Sequence, residues 1–216
     1  MKLKKLIGLS LATVMAATGF ALASCDDPDN SGKGGVKTYT MEAEYIDLDD
    51  IQGSGISSDQ GGVEMIWGEG DQEDKDKGWS NGYFVGFTYN ANLQLDFVFN
   101  ADKAATATIV LRLGSELDNL NLDPSTFEVQ LNGESISYSS MTIAKSEFDS
   151  MKFYDKTVST NANLKQGSNT ISLIVRENTF AGAKTGGPCV DCIKITTVAG
   201  LTWTDKTENP DNRGAI

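Results

Sequence analysis

The chain has 216 residues, a formal net charge of -12 and no histidine. This length favours one folded domain with short flanking segments. The lack of histidine removes the commonest general base and the commonest transition-metal ligand, and the acidic balance argues against nucleic acid as a partner. With 22 glycines and only 4 prolines, the composition is typical of an all-β domain with many tight turns.

Residues 1–24 have the pattern of a secretory signal. Three lysines among the first five residues precede an apolar run, Leu6 to Phe20, that is too short for a stable membrane span. The tetrad that ends in Cys25, Leu-Ala-Ser-Cys, resembles a bacterial lipobox. The resemblance implies cleavage before Cys25 and lipidation of that cysteine, whereas an ordinary secretory cleavage would leave it free. We therefore expect a lipoprotein of the cell envelope, anchored to a membrane and facing outward.

The folded part is predicted at residues 38–200, between a flexible, disordered tether at 25–37 and a polar tail at 201–216. The tether is polar, rich in glycine and without apolar periodicity. In the folded part, short segments alternate apolar and polar residues and end at turn sequences, as Phe127–Leu131 ends at Asn132-Gly133. About eight to ten such strands predict an all-β fold, a two-sheet β-sandwich of the jelly-roll type.

The opening segment, Tyr39 to Asp47, alternates like a strand and carries Glu42 and Glu44. Residues two apart in a strand share a face, so these carboxylates would lie about 7 Å apart along the chain. The sequence from Thr38 to Asp74 contains no lysine or arginine that could pair with them. Two interpretations follow: an exposed acidic edge strand whose glutamates are solvated, or a pair that shares a hard cation such as Ca²⁺.

Three motifs, in this order, resemble carbohydrate-binding modules of families 6 and 35. The first is Glu42-Ala43-Glu44, and the second, Leu164 to Leu173, is similar to the pattern L-x-x-G-x-N-x-I-x-L. The third is Gly187 to Ile193, similar to the closing pattern N-x-D-x-I. The resemblance implies a β-sandwich that binds a polysaccharide or another glycan without catalysis.

The resemblance also implies a structural Ca²⁺ between the first and last strands. Carried over onto this sequence, its ligands are Glu42, Glu44 and Asp191, completed by backbone carbonyls. Three carboxylates at one place require a compensating charge, and oxygen ligands favour Ca²⁺. The alternative is that Asp191 is a turn residue at the start of a strand.

The sugar site that the resemblance implies lies in loops at one end of the sandwich. Two aromatic rings hold a sugar between them, and we place Trp79 as one and Phe153 or Tyr154 as the other. Cys189 stands where the family usually has an asparagine, and a thiol is a poor hydrogen-bond donor. Asn81 or Asn178 is a candidate to replace that asparagine.

Cys189 and Cys192 are either a small local disulfide or two thiols, because positions three apart in a straight strand are too distant to bond. No motif singles out the pair of carboxylates that a glycosidase needs. A structural or protein-binding lipoprotein of the cell envelope is the alternative to a glycan binder. Its partners would be neighbouring envelope proteins, whereas a glycan binder would serve separate glycan-degrading enzymes.

Overall fold

The structure is a computed structural model that describes residues 35–46, 48, 66–68, 78–86, 88–116, 118–147, 151–178 and 186–204. Apart from one turn of 3₁₀ helix at Ala43–Tyr45, its regular elements are strands. The strands are β1 Lys37–Glu42, β2 Ile66–Gly68, β3 Tyr83–Val85, β4 Gln94–Ala101, β5 Ala105–Gly114, β6 Leu120–Leu122, β7 Phe127–Leu131, β8 Glu134–Ser135, β9 Met141–Ile143, β10 Tyr154–Leu164, β11 Gly167–Val175, β12 Cys189–Thr197 and β13 Leu201–Trp203. The predicted signal, its lipidation site Cys25 and most of the tether lie outside the described residues.

Two antiparallel sheets pack face to face, which confirms the predicted β-sandwich. Sheet A has the order β10-β5-β12-β3-β2, with β1 also paired to β12, and sheet B has the order β13-β4-β11-β7-β8. A short third sheet pairs β6 with β9. The core lies between the two large sheets, where strands such as β4 bury alternate residues, here Leu95, Phe97 and Phe99.

The chain departs from the predicted strand after Glu42. There β1 ends, and the 3₁₀ turn brings Ala43 and Ile46 to the same side, where both are fully buried. A continued strand would have faced these two residues in opposite directions, so core packing overrides the alternation of the sequence. The prediction that Glu42 and Glu44 share a strand face is therefore wrong, although both carboxylates still reach the turn at Ser80 and Asn81.

A β-bulge in β12 positions Asp191. The register of β12 against β5 shifts between Val190 and Cys192, so that Val190 and Ile193 both reach the core although they are three residues apart. Asp191 and Cys192 are left on the same side, with Cys192 Sγ 3.7 Å from Asp191 Oδ2. Cys189 and Cys192 are both buried, free thiols.

Two predicted turns are present as left-handed pairs. Asn81 and Gly82 have φ angles of 53° and 81°, and Asn132 and Gly133 have 55° and 83°. Asparagine and glycine tolerate this region, which is why the dipeptide marks tight hairpins. Strand β13 was not expected, since its residues fall in the predicted tail, and it pairs with β4.

Candidate functional site

Three carboxylates from distant parts of the sequence converge on the turn that begins at Ser80. Glu42 ends β1, Glu44 lies in the 3₁₀ turn and Asp191 occupies the bulge. Ser80 Oγ lies 2.6 Å from Glu42 Oε2 and 3.0 Å from Asp191 Oδ2, and the Ser80 N–H donates to Asp191 Oδ1 at 2.8 Å. Asn81 Nδ2 donates to Glu44 Oε1 at 2.7 Å. We call these five residues the acidic cluster.

The hydroxyl of Ser80 contacts two carboxylates but has one hydrogen to donate. It can donate to Glu42 or to Asp191, and the other short contact then joins two oxygens that both carry partial or full negative charge. Such a contact is favourable only if that carboxyl is protonated or a cation lies nearby. The local geometry therefore indicates that the acidic cluster does not hold all of its carboxylates ionised without compensation.

Burial of the carboxylates also favours their protonated form, because it raises their pKa values. Glu44 and Asp191 expose no surface, and burial raises the pKa of Glu44 to about 9 and that of Asp191 to about 7, with the charge of Glu42 as a further cause in both cases. Burial also raises the pKa of Glu42. Among the described residues, nothing donates to the buried atom Glu44 Oε2. The cluster thus contains an acceptor that is available to a proton or a cation.

Arg112 brings a positive charge to the cluster from β5. Its Nε lies 2.9 Å from Asp191 Oδ2, its Nη2 donates to the carbonyl oxygen of Gly78 at 2.6 Å, and its Nη1 lies 3.1 Å from Asp155 Oδ1. Arg112 was not among the predicted site residues, because it is far from the glutamates along the chain. The available signal was a lone charge in an otherwise uncharged and largely apolar strand, Ala105–Gly114.

The acidic cluster fits a divalent cation in charge and in ligand type. If all three carboxylates are ionised, Arg112 leaves two negative charges uncompensated, and carboxylate oxygens are preferred ligands of Ca²⁺. Within the described ranges, no three acidic, histidine or cysteine side chains are already placed to hold a metal ion. Calcium therefore fits this site if Ser80, Asn81 and Arg112 release the carboxylate oxygens to which they now donate hydrogen bonds.

A small apolar cluster lies beside these acids on the outer face of sheet A. Phe84, Met151, Phe153 and Cys189 are buried in it, and Trp79 packs against them with part of its surface exposed. The ring centroid of Trp79 lies 5.4 Å from that of Phe84 and 6.5 Å from that of Phe153, and all three pairs of rings are tilted or edge-on. Aromatic rings prefer these arrangements, so the indole of Trp79 sits on a well-packed base.

The structure buries two of the other predicted sugar contacts and packs the third against the main core. Phe153 is 7% exposed and Cys189 is 2% exposed, so both serve packing and offer little surface to a ligand. Tyr154 packs against the main core, with Lys156 Nζ 5.8 Å from its ring centroid. Phe153 therefore contacts Trp79 edge-on within the apolar cluster, whereas Tyr154, the first residue of β10, is half-buried.

The two asparagine candidates are both engaged in hydrogen bonds. Asn81 is exposed and lies two residues after Trp79 in the sequence, but its Nδ2 donates a hydrogen bond to Glu44. Asn178 accepts the N–H of Ala91 at 2.8 Å in the loop before β4. Of the five predicted ligand-binding residues, Asn81 is exposed, Trp79 and Tyr154 are partly exposed, and Phe153 and Cys189 are buried.

No protein-family model matches this sequence, and no curated protein matches it. Among solved structures, the chain is similar to a family 35 carbohydrate binding module from an environmental isolate, with 16% identity and a TM-score of 0.48 over 78% of this chain and 99% of that chain. It is also similar to CBM35 from Cellvibrio japonicus Abf62, with 10% identity and a TM-score of 0.48 over 79% of this chain and 100% of that chain.

A third similar structure is the GH26-CBM35 beta-(1,4)-mannanase of Podospora anserina, with 17% identity and a TM-score of 0.47 over 76% of this chain and 28% of that chain. These structural neighbours are carbohydrate-binding modules, the class that the three sequence motifs resemble, and some belong to enzymes. Across the described residues, no helix is both long and apolar enough to cross a membrane.

Proposed function

We propose that this protein is a non-catalytic lipoprotein of the cell envelope that binds a polysaccharide or glycan at the end of the sandwich that carries Trp79. The supporting observation is the partly exposed indole of Trp79 on a packed aromatic base, two residues before the exposed side chain of Asn81. Sugars stack their apolar C–H faces on aromatic rings and need polar partners for their hydroxyls. One ring with polar groups beside it suits such a ligand.

Strand β1 begins at Lys37, opposite Thr197, and runs to Glu42, opposite Cys192, close to the end that carries Trp79. The described chain therefore enters the sandwich at the end away from Trp79. Separate glycan-degrading enzymes would use the glycan that this protein holds.

Calcium belongs to the proposal as a structural ion of the acidic cluster. Glu42, Glu44 and Asp191 would hold it, because their three carboxylates carry more negative charge than Arg112 compensates. A bound divalent cation would fasten β1 and the 3₁₀ turn to the bulge of β12.

Replacing Trp79 with alanine is expected to weaken glycan binding at least tenfold, which corresponds to about 1.4 kcal/mol. The measurement is affinity electrophoresis of the full chain, in its Cys25→Ser form, through gels that contain xylan, galactan, mannan or a uronate polymer. Tyr39→Ala is the matched control, because Tyr39 is also a half-buried aromatic residue but lies in β1 opposite Ile195, nearer the other end of the sandwich. It should keep the retardation of the parent protein.

If the folded parent protein is retarded by none of these gels with calcium present, the glycan proposal is overturned. A structural or protein-binding role in the envelope then becomes the better interpretation. Equal retardation of the Trp79→Ala protein and its parent would show that the protein binds glycan but that Trp79 does not contribute to the binding.

Replacing Cys25 with serine is expected to move the protein from the membrane fraction to the soluble fraction of cells, because the lipid attachment site is lost. The measurement is fractionation with immunodetection, together with incorporation of a labelled fatty acid into the parent protein. Unchanged partition of the Cys25→Ser protein, or no label in the parent, would contradict the lipid anchor.

A further inference from the structure

We propose that Arg112 is an internal competitor for the cation of the acidic cluster, and that calcium binds only as its guanidinium leaves Asp191. This inference rests on the calcium site proposed above and adds a residue that sets its affinity. The buried atom Glu44 Oε2, which has no hydrogen-bond donor among the described residues, is the acceptor that points to a missing ligand. To bind Asp191, that ligand must displace donors that already occupy its carboxylate oxygens.

Both carboxylate oxygens of Asp191 already accept hydrogen bonds from the chain. Oδ1 receives the Ser80 N–H at 2.8 Å, and Oδ2 lies 2.9 Å from Arg112 Nε and 3.0 Å from Ser80 Oγ. Calcium needs to approach such an oxygen to about 2.3–2.6 Å. An ion on Oδ2 would therefore stand within about 6 Å of the guanidinium, where two positive charges repel strongly in a buried site.

Arg112 has an alternative partner that lets it leave without becoming unpaired. Its Nη1 lies 3.1 Å from Asp155 Oδ1, and Asp155 Oδ2 also pairs with Lys194 at 2.8 Å. The side chain of Arg112 is 25% exposed and that of Asp155 is 46% exposed, whereas Asp191 is buried. A small movement of the guanidinium toward Asp155 thus exchanges a buried partner for a partly solvated one and frees Asp191 Oδ2.

The competition predicts opposite effects for two substitutions. Arg112→Gln removes the competing charge, so calcium affinity should rise at least tenfold. Asp155→Asn removes the alternative partner of Arg112, holds the guanidinium on Asp191 and should lower calcium affinity. Arg176→Gln is the matched control, because Arg176 also pairs with a glutamate, Glu128, but does so across sheet B.

The experiment is calorimetric titration with calcium chloride of the full chain in its Cys25→Ser form, with and without each substitution. Support requires tighter binding for Arg112→Gln, weaker binding for Asp155→Asn and parent affinity for Arg176→Gln. If Arg112→Gln does not fold, the exposed site of Asp155 still decides. Because loss of the Asp155 charge also weakens cation binding through space, its titration is repeated at about 1 M salt, where the Debye length is about 3 Å and this effect is screened. Weaker binding of Asp155→Asn that persists at this salt concentration supports the competition, and parent affinity there overturns it.

Two results would overturn the inference. The first is a parent protein that binds calcium while Arg112→Gln binds no more tightly, or while Asp155→Asn binds equally well or better. The second is the absence of calcium binding in the parent and in Arg112→Gln alike, which also removes the calcium site. The electrophoresis described above reports on glycan binding separately, so failure of the cation site and failure of the glycan site are distinguishable.

Discussion

Raising the pH from about 5 to about 9 in the presence of a chelator is expected to lower the free energy of unfolding by at least about 2 kcal/mol. Burial raises the pKa of Asp191 to about 7 and that of Glu44 to about 9. Between the ordinary pKa of a carboxyl group and these values, the folded protein binds more protons than the unfolded chain. The contribution of these two groups to stability is therefore complete below about pH 4 and is lost as the pH rises through about 7 and then about 9.

Calcium should cancel most of this pH dependence, because a divalent cation replaces the protons as the compensating charge. At 100 times its dissociation constant, the ion should add about 2.7 kcal/mol to the free energy of unfolding. The measurement is urea unfolding at pH values near 5, 7 and 9, with calcium and with chelator. Stability that stays constant across this range in chelator would contradict the raised pKa values, and equal curves with and without calcium would contradict the ion.

Glu44→Gln is the matched variant for this prediction. The amide keeps the shape of the side chain and an oxygen for the Asn81 hydrogen bond, but it does not titrate. Its unfolding free energy in chelator should therefore fall less between about pH 7 and about pH 9 than that of the parent. A slope identical to that of the parent would assign the pH dependence to groups other than Glu44.

Replacing Gly187 with alanine is expected to destabilise the protein by at least about 3 kcal/mol. A Cβ atom at this position would lie 1.6 Å from the carbonyl oxygen of Thr88 and 2.8 Å from Cγ2 of Val175. Thr88 is buried, and its hydroxyl donates to the carbonyl oxygen of Pro188, so its backbone cannot withdraw without breaking a buried contact. The segment that leads into β12 would have to move, and Asp191 with it.

The measurement is urea unfolding of the Gly187→Ala protein and of a Gly133→Ala control in the same background. Gly133 has a φ of 83°, but a Cβ atom at this position would meet nothing within 4 Å. That substitution should therefore cost only about 1 to 2 kcal/mol for the left-handed backbone. A Gly187→Ala protein that is as stable as Gly133→Ala would show that the backbone at Thr88 yields easily to a methyl group.

The all-β fold follows from features that are local in the sequence. Strands such as Phe127–Leu131 alternate strictly because one face is buried, and their turns carry asparagine and glycine because the backbone is left-handed there. The 3₁₀ turn after Glu42 and strand Leu201–Trp203 escaped prediction. In both places, packing against the rest of the sandwich decides the conformation of a segment with a weak or misleading pattern of its own.

Apolar alternation and turn residues specify that this chain forms a sandwich of short strands, and the resemblance to families 6 and 35 assigns Glu42, Glu44 and Asp191 to one site. The surroundings of these carboxylates depend on tertiary structure, since Ser80 and Arg112 reach them from other strands and loops. Tertiary packing likewise buries Phe153 in edge-on contact with Trp79, so that the two rings do not face each other. Alternation along a strand specifies which side a residue faces, but the neighbour it meets there depends on strand order and register, which link segments far apart in the chain.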